Sequence, residues 1–63
     1  MKATYKRNIR KYDNLVTYNG VVDTGYYKET LLIDRISKED AINDATNEIE
    51  LLESMSKYPN SQF

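Results

Sequence analysis

The chain has 63 residues, 30% of them charged, with a formal net charge of −1 and neither cysteine nor histidine. That length sets an expectation of one domain, 1–63, near the lower limit for a core that holds without a metal, a disulfide or a partner. The composition removes disulfide staples, thiol chemistry, the usual zinc ligand sets and the commonest general base, so no catalysis, cofactor or metal is expected.

No apolar run approaches the roughly 20 residues that span a bilayer. The opening MKATYKRNIRK lacks the apolar stretch of a signal peptide. A cytoplasmic protein with no membrane contact is the expectation, in a bacterial host cell if the chain is phage-encoded. The small net charge hides a split. Residues 1–12 carry Lys2, Lys6, Arg7, Arg10 and Lys11 with no acid, whereas residues 37–53 set Lys38 against Glu39, Asp40, Asp44, Glu48, Glu50 and Glu53. Such asymmetry either pairs with itself in the fold or offers two opposite faces to partners.

From Ala3 to Tyr12 the apolar positions are too sparse for a helical stripe, while Ala3, Tyr5 and Ile9 share one parity with Arg7 between them, which predicts a strand. Its other face holds Thr4, Lys6, Asn8, Arg10 and Tyr12. Asp13 and Asn14 follow as turn formers, because their side chains bond nearby backbone and tolerate left-handed geometry. Next, Asn19-Gly20 between β-forming residues gives the strongest short hairpin signal and predicts a two-residue turn with Tyr18 facing Val21 and Thr17 facing Val22. A second turn cluster, Asp23-Thr24-Gly25, comes so soon that either the intervening strand is very short or one of the two turns is a bulge or loose loop. The same three residues match the letters of the aspartic protease signature, which a turn explains fully. Tyr26 to Ile36 reads as the longest strand, with Tyr27, Leu31 and Ile33 on one face. Tyr26 and Leu32 make the opposite face less polar than a freely solvated one, so a loop or a second subunit is expected to cover it.

Ile36 to Lys57 has the helical period. Ser37 stands as N-cap, Asp40 completes a capping-box-like pair, and Glu39 and Asp40 put negative charge where the helix dipole favours it. Ala41, Ile42, Ala45, Ile49, Leu52 and Met55 form one apolar stripe that lies on the sheet, with Leu51 outside it. Pro59 ends the run, and 59–63 is expected to be a loose tail. The fold class is therefore α+β, a small antiparallel sheet of two or three strands packed against one long C-terminal helix, ββα or βββα.

Three surfaces are candidates for function. Asp40, Asp44 and Glu48 form a ladder of like charges at i, i+4, i+8, with Glu50 and Glu53 on the other shoulder; such neighbours cost about 0.2–0.5 kcal/mol each. A contact face for a protein partner, built from Asp40, Asp44, Glu48, Glu50, Glu53, Leu51 and Tyr26, accounts for that cost. The competing reading is a solvated face partly neutralised by the N-terminal strand. Lys6, Arg7, Arg10 and Lys11 interleaved with Tyr5 and Tyr12 supply a cationic track and stacking platforms for nucleic acid, although the whole chain is slightly acidic, with a pI near 5.2. The six tyrosines suit an interface or the half-exposed core of a very small domain. Paired carboxylates on an outward helix face give no cleft for glycosidase-like or metal-assisted chemistry. The leading expectation is a small non-catalytic protein-binding protein of bacteriophage or mobile-element type. It would inhibit or modulate a host macromolecule such as a nucleic-acid-acting enzyme. The alternatives are nucleic-acid binding through the basic strand and self-association as a homodimer.

Overall fold

The computed structural model describes residues 1–57. Three strands, β1 (Lys2–Ile9), β2 (Val16–Asp23) and β3 (Lys28–Thr30), are followed by one helix, α1 (Lys38–Lys57). The sheet is antiparallel in the order β1-β2-β3, and α1 lies across one face of it, so the α+β arrangement read from the sequence holds. No helix among the described residues is long and apolar enough to cross a membrane. Pro59 and the tail 59–63 lie outside the described residues.

The β1–β2 connection is built where Asp13 and Asn14 predict it. Asn14 takes a left-handed backbone with φ of 58°. Its amide donates to Arg10 O at 2.8 Å, and the Leu15 amide donates to Asp13 Oδ1 at 3.0 Å. At the far end of β2, Asp23 Oδ1 accepts from the Gly25 amide at 2.9 Å and Thr24 Oγ1 accepts from the Tyr26 and Tyr27 amides. Gly25, at φ of 96°, supplies the conformation an L side chain resists. The helix starts as expected, with the Asp40 amide donating to Ser37 Oγ at 3.2 Å.

The structure overturns the hairpin expected at Asn19-Gly20. Both residues sit inside an unbroken β2, with Gly20 opposite Tyr5 and Asn19 opposite Lys6 on β1. Gly20 is there for packing. A Cβ added to it would come within 2.5 Å of Ala41 O and 3.1 Å of Ala45 N, both helix backbone atoms, and 3.2 Å of Leu31 Cδ1. Ala41, Ala45 and Val22 have no exposed surface, so the helix rests directly on the strand. Of the predicted stripe, Ile42, Ile49 and Leu52 are half-buried, while Met55 is 62% exposed and leaves the core.

The long strand expected over Tyr26 to Ile36 is also corrected. Val21 faces Thr30 in a regular ladder with β3, and the Leu31 amide still donates to Gly20 O at 2.8 Å. Further along, Tyr18 pairs with Arg35 through two backbone hydrogen bonds of 2.7 Å. Continuing the β2–β3 register would set Ile33 opposite Tyr18, so the register shifts by the length of a bulge between Thr30 and Arg35. The buried Asn19 side chain fills that bulge. Its Nδ2 donates to Leu31 O and Ile33 O at 3.1 Å and to Asp34 Oδ1 at 2.7 Å, one hydrogen being shared, while its Oδ1 accepts from Asn8 Nδ2 at 2.7 Å.

Two substitutions separate this packing role from a turn. Gly20→Ala forces strand and helix backbones apart and is expected to destabilise by about 2–3 kcal/mol, read as a lowered urea midpoint. Asn19→Asp keeps a good turn residue but removes both amide donors. It is expected to cost at least about 1–3 kcal/mol, whereas a type I′ turn would tolerate it, so an unchanged urea midpoint would restore the hairpin reading.

Candidate functional site

The bulge and the helix together make a groove. Residues Leu31, Leu32 and Ile33 form one wall; Asp44, Asn47, Glu48 and Leu51, recurring at i, i+3, i+4 and i+7 on α1, form the other. Its volume is about 420 Å³, within the range of binding clefts in general. Leu32, which an unbroken ladder would place opposite Asn19, is 96% exposed, and Ile33 and Leu51 are also exposed. Met55 stands one helical turn beyond Leu51 on the same flank, and Asp40 one turn before Asp44.

Within the acidic ladder the structure separates members that look equivalent in sequence. Asp44 accepts from Arg35 Nε at 2.7 Å and from Nη2 at 3.0 Å, a two-pronged pair that ties the end of the bulge to the helix. That hydrogen bond and the neighbouring negative charges hold the Arg35 pKa above its ordinary value. Asp44 is thereby structural as well as part of the groove. Glu48 is half-buried on the groove wall. Glu50 and Glu53 are exposed on the other shoulder of the helix, and Tyr26, 96% exposed, stands in the β2–β3 turn. The seven residues proposed from sequence as one contact face thus divide: Asp44, Glu48 and Leu51 line the groove, Asp40 extends its flank, and Glu50, Glu53 and Tyr26 lie elsewhere.

The basic strand is dispersed. By register, Ala3, Tyr5, Arg7 and Ile9 share the helix-covered face with Val22, Gly20, Tyr18 and Val16, and Lys6 lies on the opposite face with Thr4 and Asn8. Tyr5 meets Tyr18 edge to face, with ring centroids 5.7 Å apart. Arg10 is held by Asp13 at 2.8 Å, and its guanidinium lies 5.1 Å from the Tyr12 ring centroid. Lys11 is exposed in the loop. Among the described residues the ion pairs are Arg10–Asp13 and Arg35–Asp44; none joins the basic strand to the acidic helix.

Sequence reasoning missed Leu31, Ile33 and Asn47 as members of a site. The available signals were two stray apolar residues, Leu32 on a polar face and Leu51 outside the core stripe, which the bulge brings to one groove. Comparison with known proteins adds no guide, since no family model, curated protein or solved structure matches the chain.

The loop holding Arg10 has a pH signature. The Asp13 carboxylate accepts from the Leu15 amide and from Arg10, which lowers its pKa below the ordinary 3.8. A depressed folded value means that the loop's stabilisation is fully present above the unfolded pKa and is lost as pH falls through the folded one. An NMR titration of Asp13 is expected to show a midpoint below 3.8 in the native chain and a rise toward that value in Arg10→Ala.

Proposed function

We propose that this chain is a non-catalytic protein-binding protein whose contact surface is the groove between the bulge and α1. The observation that carries this reading is the cluster of Leu32, Ile33 and Leu51, exposed side by side around a groove in a domain with few fully buried apolar side chains. Fully burying one Leu or Ile is worth about 1.5–3 kcal/mol, so a fold this small forgoes part of its available stabilisation by leaving Leu32 outside and Ile33 and Leu51 more than half exposed. Contiguous exposed apolar surface rimmed by polar groups is the pattern of an interaction site. The small size and the lysine, asparagine, isoleucine and tyrosine richness suit an inhibitor or modulator of a host macromolecule, of bacteriophage or mobile-element type.

Nucleic-acid binding through β1 draws less support, because Tyr5 is engaged with Tyr18 and Arg10 with Asp13, which removes one stacking platform and one free cation from the track. The test is capture of a protein partner from host lysate by tagged wild-type chain, compared with the Leu32→Ser/Leu51→Ser double variant. Both substitutions are at exposed positions, so the fold is expected to persist while retention drops by at least about tenfold, roughly 1.4 kcal/mol of binding energy. Equal retention by the two proteins would sink the assignment of this groove.

A further inference from the structure

Building on the protein-binding reading, we infer that the groove's occupant is a cationic amphipathic helix of a partner protein. Three features of the groove converge on that chemistry. Its lining is apolar at Leu31, Leu32 and Ile33 on one wall and Leu51 on the other, and takes side chains from one stripe of an amphipathic segment. Its helix wall is acidic. Glu48 lines it and Asp40 lies on the same flank, while the cation beside it, Arg35, is already engaged by Asp44. Positive charges flanking the occupant's apolar stripe therefore meet complementary potential, which favours encounter and fixes orientation.

The third feature concerns the occupant's backbone. An extended peptide would add to the outer edge of β3, but that strand is only three residues long and the ladder is broken directly after it. Leu31 O and Ile33 O are turned inward to Asn19. A bulge of this kind ends pairing and bends the edge away from an incoming strand. The groove thus recognises side chains, the helix-in-groove mode, and offers little for strand addition. Two copies meeting groove to groove would set Glu48 and Asp40 of each against the other's, a like-charge contact that disfavours a second copy of this chain as the occupant.

The experiment follows the isoleucine and leucine methyl signals of the full chain by NMR during titration with two synthetic peptides. Both are roughly 15 residues long, about four helical turns, with leucines at i, i+3, i+4 and i+7; one carries lysine at the remaining positions and the other glutamate. The lysine peptide is expected to shift Leu31, Leu32, Ile33 and Leu51 saturably and to bind at least about tenfold tighter than the glutamate peptide. The double variant Asn47→Lys/Glu48→Lys keeps both residues of the Arg35–Asp44 pair and is expected to reverse that preference, while Leu32→Ser weakens both peptides.

Equal binding of the two peptides, shifts confined to methyls outside the groove, or an unchanged preference in the Asn47→Lys/Glu48→Lys variant would each overturn the inference. So would groove signals that move on dilution of the protein alone, which would make a second copy the occupant. The underlying reading fails separately. A captured partner lost with Leu32→Ser/Leu51→Ser, combined with no charge preference among peptides, removes only the cationic helix; equal capture by wild type and that variant removes the groove as a site.

Discussion

The structure depends on the approach of the α1 backbone to Gly20. A residue without a side chain at the centre of the middle strand lets Ala41 and Ala45 settle against the sheet with no exposed surface. Val22, next along the same face of β2, becomes the largest fully buried side chain. A core this thin gains comparatively little from transferred area. It relies on many short van der Waals contacts between backbone and small side chains, each worth about 0.1–0.2 kcal/mol and all lost together if the layers part. The sequence therefore sets small residues on both sides of the contact, and the bulkier Ile42, Ile49 and Leu52 are half-buried around it.

From that contact the position of the groove follows. Gly20 O still accepts from the Leu31 amide, so the chain after β3 is pinned at the height of the helix contact. Beyond it the ladder must reach the Tyr18–Arg35 pair with extra residues to accommodate. Asn19 resolves the resulting surplus of backbone carbonyls by giving its amide protons to them. With those carbonyls drawn inward, the side chains of Leu32 and Ile33 are left at the surface beside the helix. The bidentate Arg35–Asp44 pair then fixes the far end of the segment against α1. One glycine and one asparagine, adjacent in sequence, thus set the depth of the core and the opening of the groove.

The same two residues explain how much of the fold was legible. The helix, its Ser37 cap, the Asp13-Asn14 turn and the parity of β1 are local features, and local physics decides them: a period of 3.6 or 2, a side-chain oxygen near free amides, a residue that tolerates positive φ. Asn19-Gly20 was misread because a type I′ turn and a close helix contact ask for the same residue types. A turn needs positive φ, the contact needs a missing Cβ, and glycine satisfies both; only the partner across space distinguishes them. The strand over Tyr26 to Ile36 was overextended for a related reason, since nothing in its own alternation reveals that Asn19 interrupts its ladder. The site was half visible. Leu32 and Leu51 were each out of place in their own element, and Asp44 and Glu48 were marked by charge, but their convergence is a property of the bulge.

The acidic helix carries a cost in stability that the proposed binding role accounts for. Ladder neighbours Asp40, Asp44 and Glu48 repel one another, and among the described residues Asp44 is the one rung held in a direct ion pair, with Arg35, whose charge also acts on Asp40. The five cations of residues 1–12 could in principle have relieved the rest. They are divided between the two faces of β1 and the following loop, where Arg10 is engaged by Asp13. Charges held apart in this way act through the field they project, strongest at low ionic strength and fading over a Debye length of about 8–10 Å in ordinary salt. The apolar lining works only at contact and is insensitive to that screening. In the proposed binding mode the two divide the labour of recognition: the field governs approach and orientation, and Leu31, Leu32, Ile33 and Leu51 govern how long an occupant stays.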